Sequence, residues 1–203
     1  MDEQTFPTPA LSFTLGLPDW APAELRALPH HLPTLEARMD AVLRFANLNV
    51  QHGTGGPFAA GVFERENGRL VVIGVNRVVP SNCSSAHAEV MAISLAQKIL
   101  GVYDLGAPGL PDHQLVVNWR PCVMCYGATI WSGVRSLVIA GDGPELEEIT
   151  GFDEGPVHPE WRAELAKRGI ELVEDVRRAE AIAGYRAFAA GQHLVYNPRG
   201  GAA

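Results

Sequence analysis

The sequence has no run of lysine and arginine, and its charge balance is acidic. Its 203 residues include 16 Lys and Arg against 23 Asp and Glu, which gives a formal net charge of −7. Proteins that bind DNA or RNA gain much of their affinity from cationic side chains that neutralise phosphates. The composition offers no such general attraction, so we predict that the chain has no nucleic-acid partner.

Long apolar segments are also missing. No stretch approaches the roughly 20 apolar residues that a helix needs to cross a bilayer, so we expect no membrane partner. The first residues, MDEQTF, are acidic, and the apolar segment of a secretory signal is absent. These features predict a cytoplasmic protein.

Cysteine is scarce, with only Cys83, Cys122 and Cys125. Three thiols are too few, and odd in number, for a disulfide scaffold, and cytoplasmic thiols stay reduced. We therefore do not expect a disulfide between Cys122 and Cys125. A Cys-x-x-Cys pair in a reducing compartment remains open to three interpretations: a metal site, a redox pair or core packing.

Proline and periodicity divide the chain into three parts. Residues 1–33 contain six prolines and little periodic pattern, so we predict an irregular arm that is ordered only if it packs on the rest. Residues 34–190 carry the regular patterns of a folded domain. Residues 191–203 are a tail.

Within the domain, a helix capped by Thr34 and ending near Gly53 precedes a hairpin of two strands, PFAAGVFE and LVVIGVNRVV. Helical and extended segments then alternate, beginning with a helix for which Ser84 or Ser85 is a plausible N-cap. An opening hairpin followed by alternating helices and strands indicates an α/β protein. We predict a three-layer α/β/α sandwich around a mixed sheet.

Two short segments carry the chemistry, His87-Ala88-Glu89 and Pro121-Cys122-Val123-Met124-Cys125. Each follows a predicted strand and opens a helix, whose N-terminus favours a thiolate over a thiol. Cys122 and Cys125 lie three residues apart and share a helical face. His87 and Glu89, two apart, must lie in the first turn. One nitrogen and two sulfur ligands suit zinc and leave a fourth tetrahedral position open.

His-x-Glu followed about thirty residues later by Pro-Cys-x-x-Cys resembles the signature of the zinc deaminases of the cytidine deaminase fold. The segments GGPFAAGVF, AHAEVMAI, PCVMCYGATIWSGVRS and GFDEGP are most similar to the guanine deaminase branch. The resemblance covers roughly residues 50–160 and implies a five-stranded sheet, usually in a dimer. It also implies Zn²⁺ as cofactor, guanine as a small-molecule substrate, and deamination to xanthine and ammonia by the domain 34–190.

Carried over to this chain, the resemblance makes His87, Cys122 and Cys125 the zinc ligands. It makes Glu89 the general acid and base, which cannot itself be a ligand because it would exclude the water. A helix-terminal charge is the alternative for Glu89. Ala88, between His87 and Glu89, is a candidate substrate contact.

Further candidates lie in other segments. The amide of Asn76 could read a purine edge, or it could form a turn. Asp153 and Glu154 resemble the carboxylates that the guanine branch places at the substrate, where Glu154 could also relay protons. A solvated acidic loop is the alternative for both.

Aromatic side chains provide the remaining candidates. Phe58 and Trp131 are possible stacking walls, with core packing as an equal alternative. Tyr196 and the tail could close over a site, in the same or a neighbouring subunit. We interpret Cys83 as a free thiol.

The chain departs from the family pattern just before Pro121, where Asn118-Trp119-Arg120 replaces Ser or Thr, any residue, and Glu. A positive charge beside the metal would favour an anionic or oxygen-rich substrate. Alternatively, Arg120 points outward and an acidic neighbour such as Asp153 or Glu154 compensates it. The sequence leaves both interpretations open.

Three other functions also stay open. The chain could deaminate a related heterocycle, such as guanosine or another nucleoside, an aminopurine, a triazine such as ammeline, or a pterin. It could act on adenosine in tRNA, although the net charge argues against this. It could bind zinc without catalysis, although a structural zinc needs no general base.

Overall fold

A five-stranded mixed sheet forms the centre of the molecule, of which the computed structural model describes residues 12–197. The strands are β1 Ala59–Glu64, β2 Leu70–Val75, β3 His113–Val117, β4 Ser136–Ile139 and β5 Glu171–Val173. Their spatial order is β2-β1-β3-β4-β5, with β1 antiparallel to both neighbours and β3, β4 and β5 parallel. The predicted α/β fold with a five-stranded mixed sheet is confirmed.

Helices cover both faces of this sheet. They are α1 Ala21–Ala27, α2 Leu35–Gln51, α3 Val78–Ser81, α4 Ala88–Leu100, α5 Val123–Trp131, α6 Glu145–Thr150, α7 Trp161–Lys167 and α8 Arg178–Ala190. Within residues 12–197, no helix combines the length and the apolar character that crossing a bilayer requires.

The side chains of each strand point alternately to the two faces of the sheet, and this produces the three layers. Val116 and Val138 face a core formed with α2, α6 and α8. Their neighbours Leu115, Leu137 and Ile139 face the opposite core, formed with α4 and α7. Since successive strand side chains point to opposite faces, one apolar strand supplies both cores.

Part of the N-terminal arm is helical, so the prediction of an irregular arm is wrong for α1. Pro22 lies in the first turn of this helix, where the missing N–H costs nothing. Trp20 anchors the segment: its ring lies 5.5 Å from that of Phe45, and its Nε1 donates to Thr54 Oγ1 at 3.0 Å. Residues 1–11 lie outside the described part of the chain.

The helix starts differ in how they are capped. Thr34 caps α2 as predicted, since its Oγ1 accepts from Ala37 N at 3.1 Å. The predicted Ser84 or Ser85 cap of α4 is wrong, because the N-cap residue is His87. Residues 82–86 instead form a turn that is held back onto α3, with Cys83 N donating to Val78 O at 3.1 Å.

The carboxyl ends of β2, β3 and β4 meet at one edge of the sheet. Ala59, at the start of β1, pairs with Val75 at the end of β2. On the other side of β1, Val117 at the end of β3 pairs with Ala60 and with Ile139 of β4. The loops after these strands therefore emerge together, beside the start of α4.

Gly74 lets α4 lie directly on β2. A Cβ added there would lie 2.4 Å from Ala92 N and 2.7 Å from Ala88 O, both backbone atoms of α4. Backbone cannot move aside as a flexible side chain can. The position of the start of α4, with His87 and Glu89, therefore depends on residue 74 being a glycine.

We expect Gly74→Ala to lower the free energy of unfolding by about 1–3 kcal/mol, because the added methyl overpacks the α4 interface. Urea unfolding measures the change. Gly16→Ala is the matched control: Gly16 is exposed with open space around it, so its change should stay within about 0.5 kcal/mol. Equal effects of the two substitutions would contradict the close-packing argument.

Candidate active site and metal centre

A cavity of about 440 Å³ opens at the sheet edge where the strand ends meet. Most of the predicted site residues line it together with the tail: Phe58, Asn76, His87, Ala88, Glu89, Cys122, Asp153, Glu154 and Tyr196. Cavities of this size accommodate small organic ligands. The structure therefore brings separately predicted segments into one concave site.

The three predicted ligands converge on one point. His87 is the N-cap of α4, Cys122 is the N-cap of α5, and Cys125 lies in the first turn of α5. Their donor atoms all lie within 4.8 Å of one another, and Cys122 Sγ lies 3.5 Å from His87 Nδ1. Ligand atoms of a tetrahedral zinc are separated by roughly 3.5 to 3.8 Å. The donor set and its spacing fit zinc, and three donors leave one position for solvent.

The electrostatics of the two thiols favour metal binding. A hydrogen bond from Cys125, together with one from His87, lowers the pKa of Cys122 to about 4 against the opposing effect of burial. The same pairing with Cys122, and then burial, raises the pKa of Cys125. The low pKa of Cys122 favours its thiolate form, and metal ions displace the proton of a second thiol.

Glu89 lies in the first turn of α4, two residues after His87. Its side chain is buried, and burial raises the pKa of its carboxyl, as does the negative charge of Cys122, while His87 opposes the shift. Glu89 does not belong to the donor cluster. A buried carboxyl beside the ligands, with an elevated pKa, is suited to carry a proton.

The acidic loop 153–154 docks against the start of α5, where Val123 N donates to Glu154 O at 3.1 Å. Burial, followed by the charges of Cys122 and Glu89, raises the pKa of Glu154 to about 8. Asp153 is more exposed, and its Oδ1 accepts from Gly155 N at 2.8 Å, which shapes the turn.

Asn76 forms a turn, which is one of the two interpretations left open by the sequence. Its Oδ1 accepts from Gly56 N at 3.3 Å and from Val78 N at 3.4 Å, so the amide does form a turn. Its Nδ2 donates to the Tyr196 hydroxyl, and the residue also lines the cavity. The amide is thus held rigidly by its own loop while it lies in the cavity wall.

The tail closes over the cavity of its own chain. The Tyr196 ring lies 5.1 Å from that of Phe152 and 6.3 Å from that of His87. The side-chain amide of Asn197 makes two hydrogen bonds to the acidic loop. Its Nδ2 donates to Gly151 O at 2.8 Å, and its Oδ1 accepts from Asp153 N at 3.0 Å. Residues 198–203 lie outside the described part of the chain.

Trp131 is not a wall of this cavity, so its prediction as a stacking wall is wrong. It is the last residue of α5, 87% exposed, and does not line the site. Phe152 takes the place of the second aromatic wall, edge-on to Phe58 with ring centroids 5.0 Å apart. Sequence reasoning missed Phe152, although it lies in the quoted GFDEGP motif directly before Asp153.

The departure from the family pattern has a structural explanation at Trp119. The Trp119 ring is buried and packs edge-on against Tyr185, with centroids 5.6 Å apart. A Cβ at Gly141 would lie 2.6 Å from this ring, so Gly141 provides the room for it.

Arg120 lines the cavity, and its charge is compensated, but by neither of the acids expected. Its Nε lies 2.5 Å from Asp142 Oδ1. Sequence reasoning missed Asp142. The available signal was its position just after β4, at the edge where the other site loops emerge.

Cys83 does not belong to the metal cluster, and its Sγ lies 3.2 Å from Ser85 Oγ. The prediction of a free thiol is confirmed, since none of the three cysteines forms a disulfide.

Comparisons with known proteins agree with this geometry. Residues 33–141 match the family model of the cytidine and deoxycytidylate deaminase zinc-binding region. The chain is 33% identical over 139 residues to a guanine deaminase of Bacillus subtilis, which covers 68% of this chain and 83% of that protein. A solved structure of a guanine deaminase from Nitrosomonas europaea superposes with a TM-score of 0.84, at 46% identity, covering 91% of this chain and 100% of that one. A structure of the protein NE0047 in complex with 2,6-diaminopurine has a TM-score of 0.83 and 48% identity, covering 91% and 96%.

We expect Cys125→Ala to lower zinc affinity by more than about 100-fold. Substitution of a residue that only hydrogen-bonds a ligand already lowers metal affinity about 10- to 100-fold, and Cys125 is itself a proposed ligand. Elemental analysis of the purified chain, with a chelator competition, measures this. Cys83→Ala removes the nearby thiol that is not a donor, and it should leave zinc content unchanged. Loss of zinc in both variants, or in neither, would show that the donor set is wrong.

Proposed function

Because the chain belongs to the cytidine and deoxycytidylate deaminase family, we propose that it catalyses the zinc-dependent hydrolytic deamination of guanine to xanthine and ammonia. One observation carries the proposal: three zinc donors, the buried Glu89 and the amide of Asn76 line or adjoin a single small-molecule cavity. The similarity to guanine deaminases over most of the chain supports guanine as the base.

In this proposal His87, Cys122 and Cys125 hold the metal, and Glu89 moves the protons. When bound by these three residues, zinc would lower the pKa of a water molecule and so supply a nucleophile at neutral pH. Glu89 accepts the proton released by that water and passes it to a ring nitrogen of guanine. The attack forms a bond to the carbon that bears the exocyclic amine. Glu89 then takes the proton of the hydroxyl group that has been added to this carbon and delivers it to the amino nitrogen. The bond between that carbon and the amino nitrogen breaks, the C=O bond of xanthine forms, and ammonia leaves.

The cavity walls provide matching groups for a purine. Phe58 and Phe152 offer apolar ring surfaces, and the fixed amide of Asn76 offers the one Nδ2 hydrogen that Tyr196 does not use. Guanine presents a ring N–H and a 2-amino group, both donors, for which Glu154 is a suitable acceptor. We assign substrate contact and proton relay to Glu154, and substrate contact to Asp153 and Ala88, as further parts of the proposal.

The tail favours a free base over a polynucleotide. Tyr196 and Asn197 cover the cavity of their own chain, and a long RNA strand would have to displace them. The net charge of −7 also provides no attraction to tRNA. A related amino-heterocycle remains the second candidate, because a cavity of about 440 Å³ has room for more than a bare base.

Two further features of the proposal concern the protein as a whole. A cytoplasmic location is part of the proposal, because three cysteines, two of them placed as metal ligands, provide no disulfide scaffold. Trp131 and Tyr103, which are 87% and 89% exposed, are large apolar side chains of the kind that homodimer interfaces cover. We therefore propose a cytoplasmic homodimer.

We expect Glu89→Gln to lower kcat for ammonia release by about 10²–10⁴, because the amide cannot carry the proton. Its zinc content should remain at the wild-type level, because Glu89 is not a donor. Ammonia release and elemental analysis on the same preparation test both points. A variant that turns over at the wild-type rate would remove Glu89 from the mechanism.

An ammonia-release screen tests the substrate. Guanine should give the highest kcat/KM in a panel that also contains guanosine, adenine, cytosine, ammeline, pterins and tRNA. The fixed Asn76 amide and the covered cavity select for a small planar base. Preference for any other member of the panel would redirect the proposal to that substrate.

A further inference from the structure

Arg120 and Glu154 line the same cavity, yet they do not pair. The two are close in the fold, because the backbone carbonyl of Glu154 accepts from Val123 N, three residues after Arg120. Within residues 12–197, Glu154 bonds through its backbone, with its N–H donating to Glu147 Oε1 at 3.2 Å, and its carboxylate makes no ion pair. A guanidinium and a carboxyl group that line one cavity would ordinarily attract each other.

Asp142 takes the cation instead. Its Oδ1 lies 2.5 Å from Arg120 Nε, and the two side chains are only 11% and 20% exposed. Among the ion pairs formed by the described residues, it is the most enclosed. Because solvent screens an enclosed pair only weakly, its geometry should be firmly held.

Asp142 is itself fixed from several directions. Its Oδ2 binds Arg162 at 2.7 Å, its Oδ1 accepts from Gly143 N at 2.8 Å, and its backbone carbonyl accepts from Arg178 at 2.9 Å. The backbones of the two loops are also joined, since Arg120 N donates to Gly141 O at 2.9 Å. The carboxylate is thus a rigid acceptor, and Arg120 is bound to it at the cavity wall.

From this arrangement we propose that Asp142 is a positioning residue, which sequesters the Arg120 guanidinium and so keeps the Glu154 carboxyl group free in the cavity. The inference rests on the proposed function, in which Glu154 contacts the substrate and relays protons. It also gives a role to the cation at position 120, where the resemblance to the zinc deaminases implies an acid.

The test is a suppression experiment. Asp142→Ala should release Arg120 to pair with Glu154 and lower kcat for guanine by at least about 10-fold. Adding Arg120→Met removes the released cation. The double variant should therefore recover to within about threefold of Arg120→Met alone. A double variant no better than Asp142→Ala would overturn the proposal, because general loop damage cannot be repaired by a second substitution.

Two further variants guard against a trivial loss of folding. Asp142→Asn keeps the shape of the side chain and weakens only the charge, so it should show the same suppression at smaller amplitude. Glu174→Ala removes a different acidic partner of Arg162, at 2.8 Å, and leaves the Arg120–Asp142 pair intact. It should retain wild-type kcat and KM, and a loss equal to that of Asp142→Ala would also contradict the proposal.

A structural measurement separates this inference from the proposed function. In a crystal structure of the Asp142→Ala zinc protein, a guanidinium nitrogen of Arg120 should lie within about 4 Å of the Glu154 carboxylate. An Arg120 that stays in place or turns to solvent would overturn the proposal. This result does not depend on guanine being the substrate, whereas failure of the wild-type protein to release ammonia from guanine would overturn only the function.

Discussion

The site depends on two helix N-termini that point at the same small volume. His87 and Cys122 are the N-caps of α4 and α5, so both ligands lie off helix ends, where the backbone dipoles favour negative charge. The α4 end is fixed because Gly74 brings that helix onto β2 without an intervening side chain. The α5 end is fixed by the hydrogen bond from Val123 to the Glu154 loop. Small shifts of either helix would separate the donors.

The charge balance of the cavity follows from this convergence. Cys122, Cys125, Glu89 and Glu154 bring four acidic groups close together, with His87 among them. Burial and like charges oppose ionisation, and the pKa values of Glu89, Cys125 and Glu154 are raised accordingly. A divalent metal relieves this opposition, which is the physical reason that these residues suit a zinc enzyme. Arg120 relieves it only in part: its charge opposes the rise in the pKa of Glu154, but Asp142 binds the guanidinium at the wall.

Long-range contacts complete the cavity. Tyr196 bonds Asn76 across 120 residues of sequence, and Asn197 bonds the acidic loop. Phe152 packs between Phe58 and Tyr196. The aromatic walls, the amide and the tail therefore support one another. The substrate side of the cavity is built from segments that lie far apart in the sequence.

The sequence by itself determined the fold class, the order of the longer helices and strands within the domain, and the three candidate metal ligands. It missed α3, since Val78 and Val79 were assigned to the second strand, which ends at Val75. Periodicity over six or more residues reports which face is buried, and ligand spacing within one helical turn is a local property. Only the tertiary structure decided which side chains reach the cavity: it exposed Trp131, admitted Phe152 and paired Arg120 with Asp142. It also made α1 helical through contacts of Trp20 with the distant α2. The physical reason is that these contacts depend on how separate loops meet at the edge of the sheet. A local sequence pattern does not encode the distance between residues of different loops.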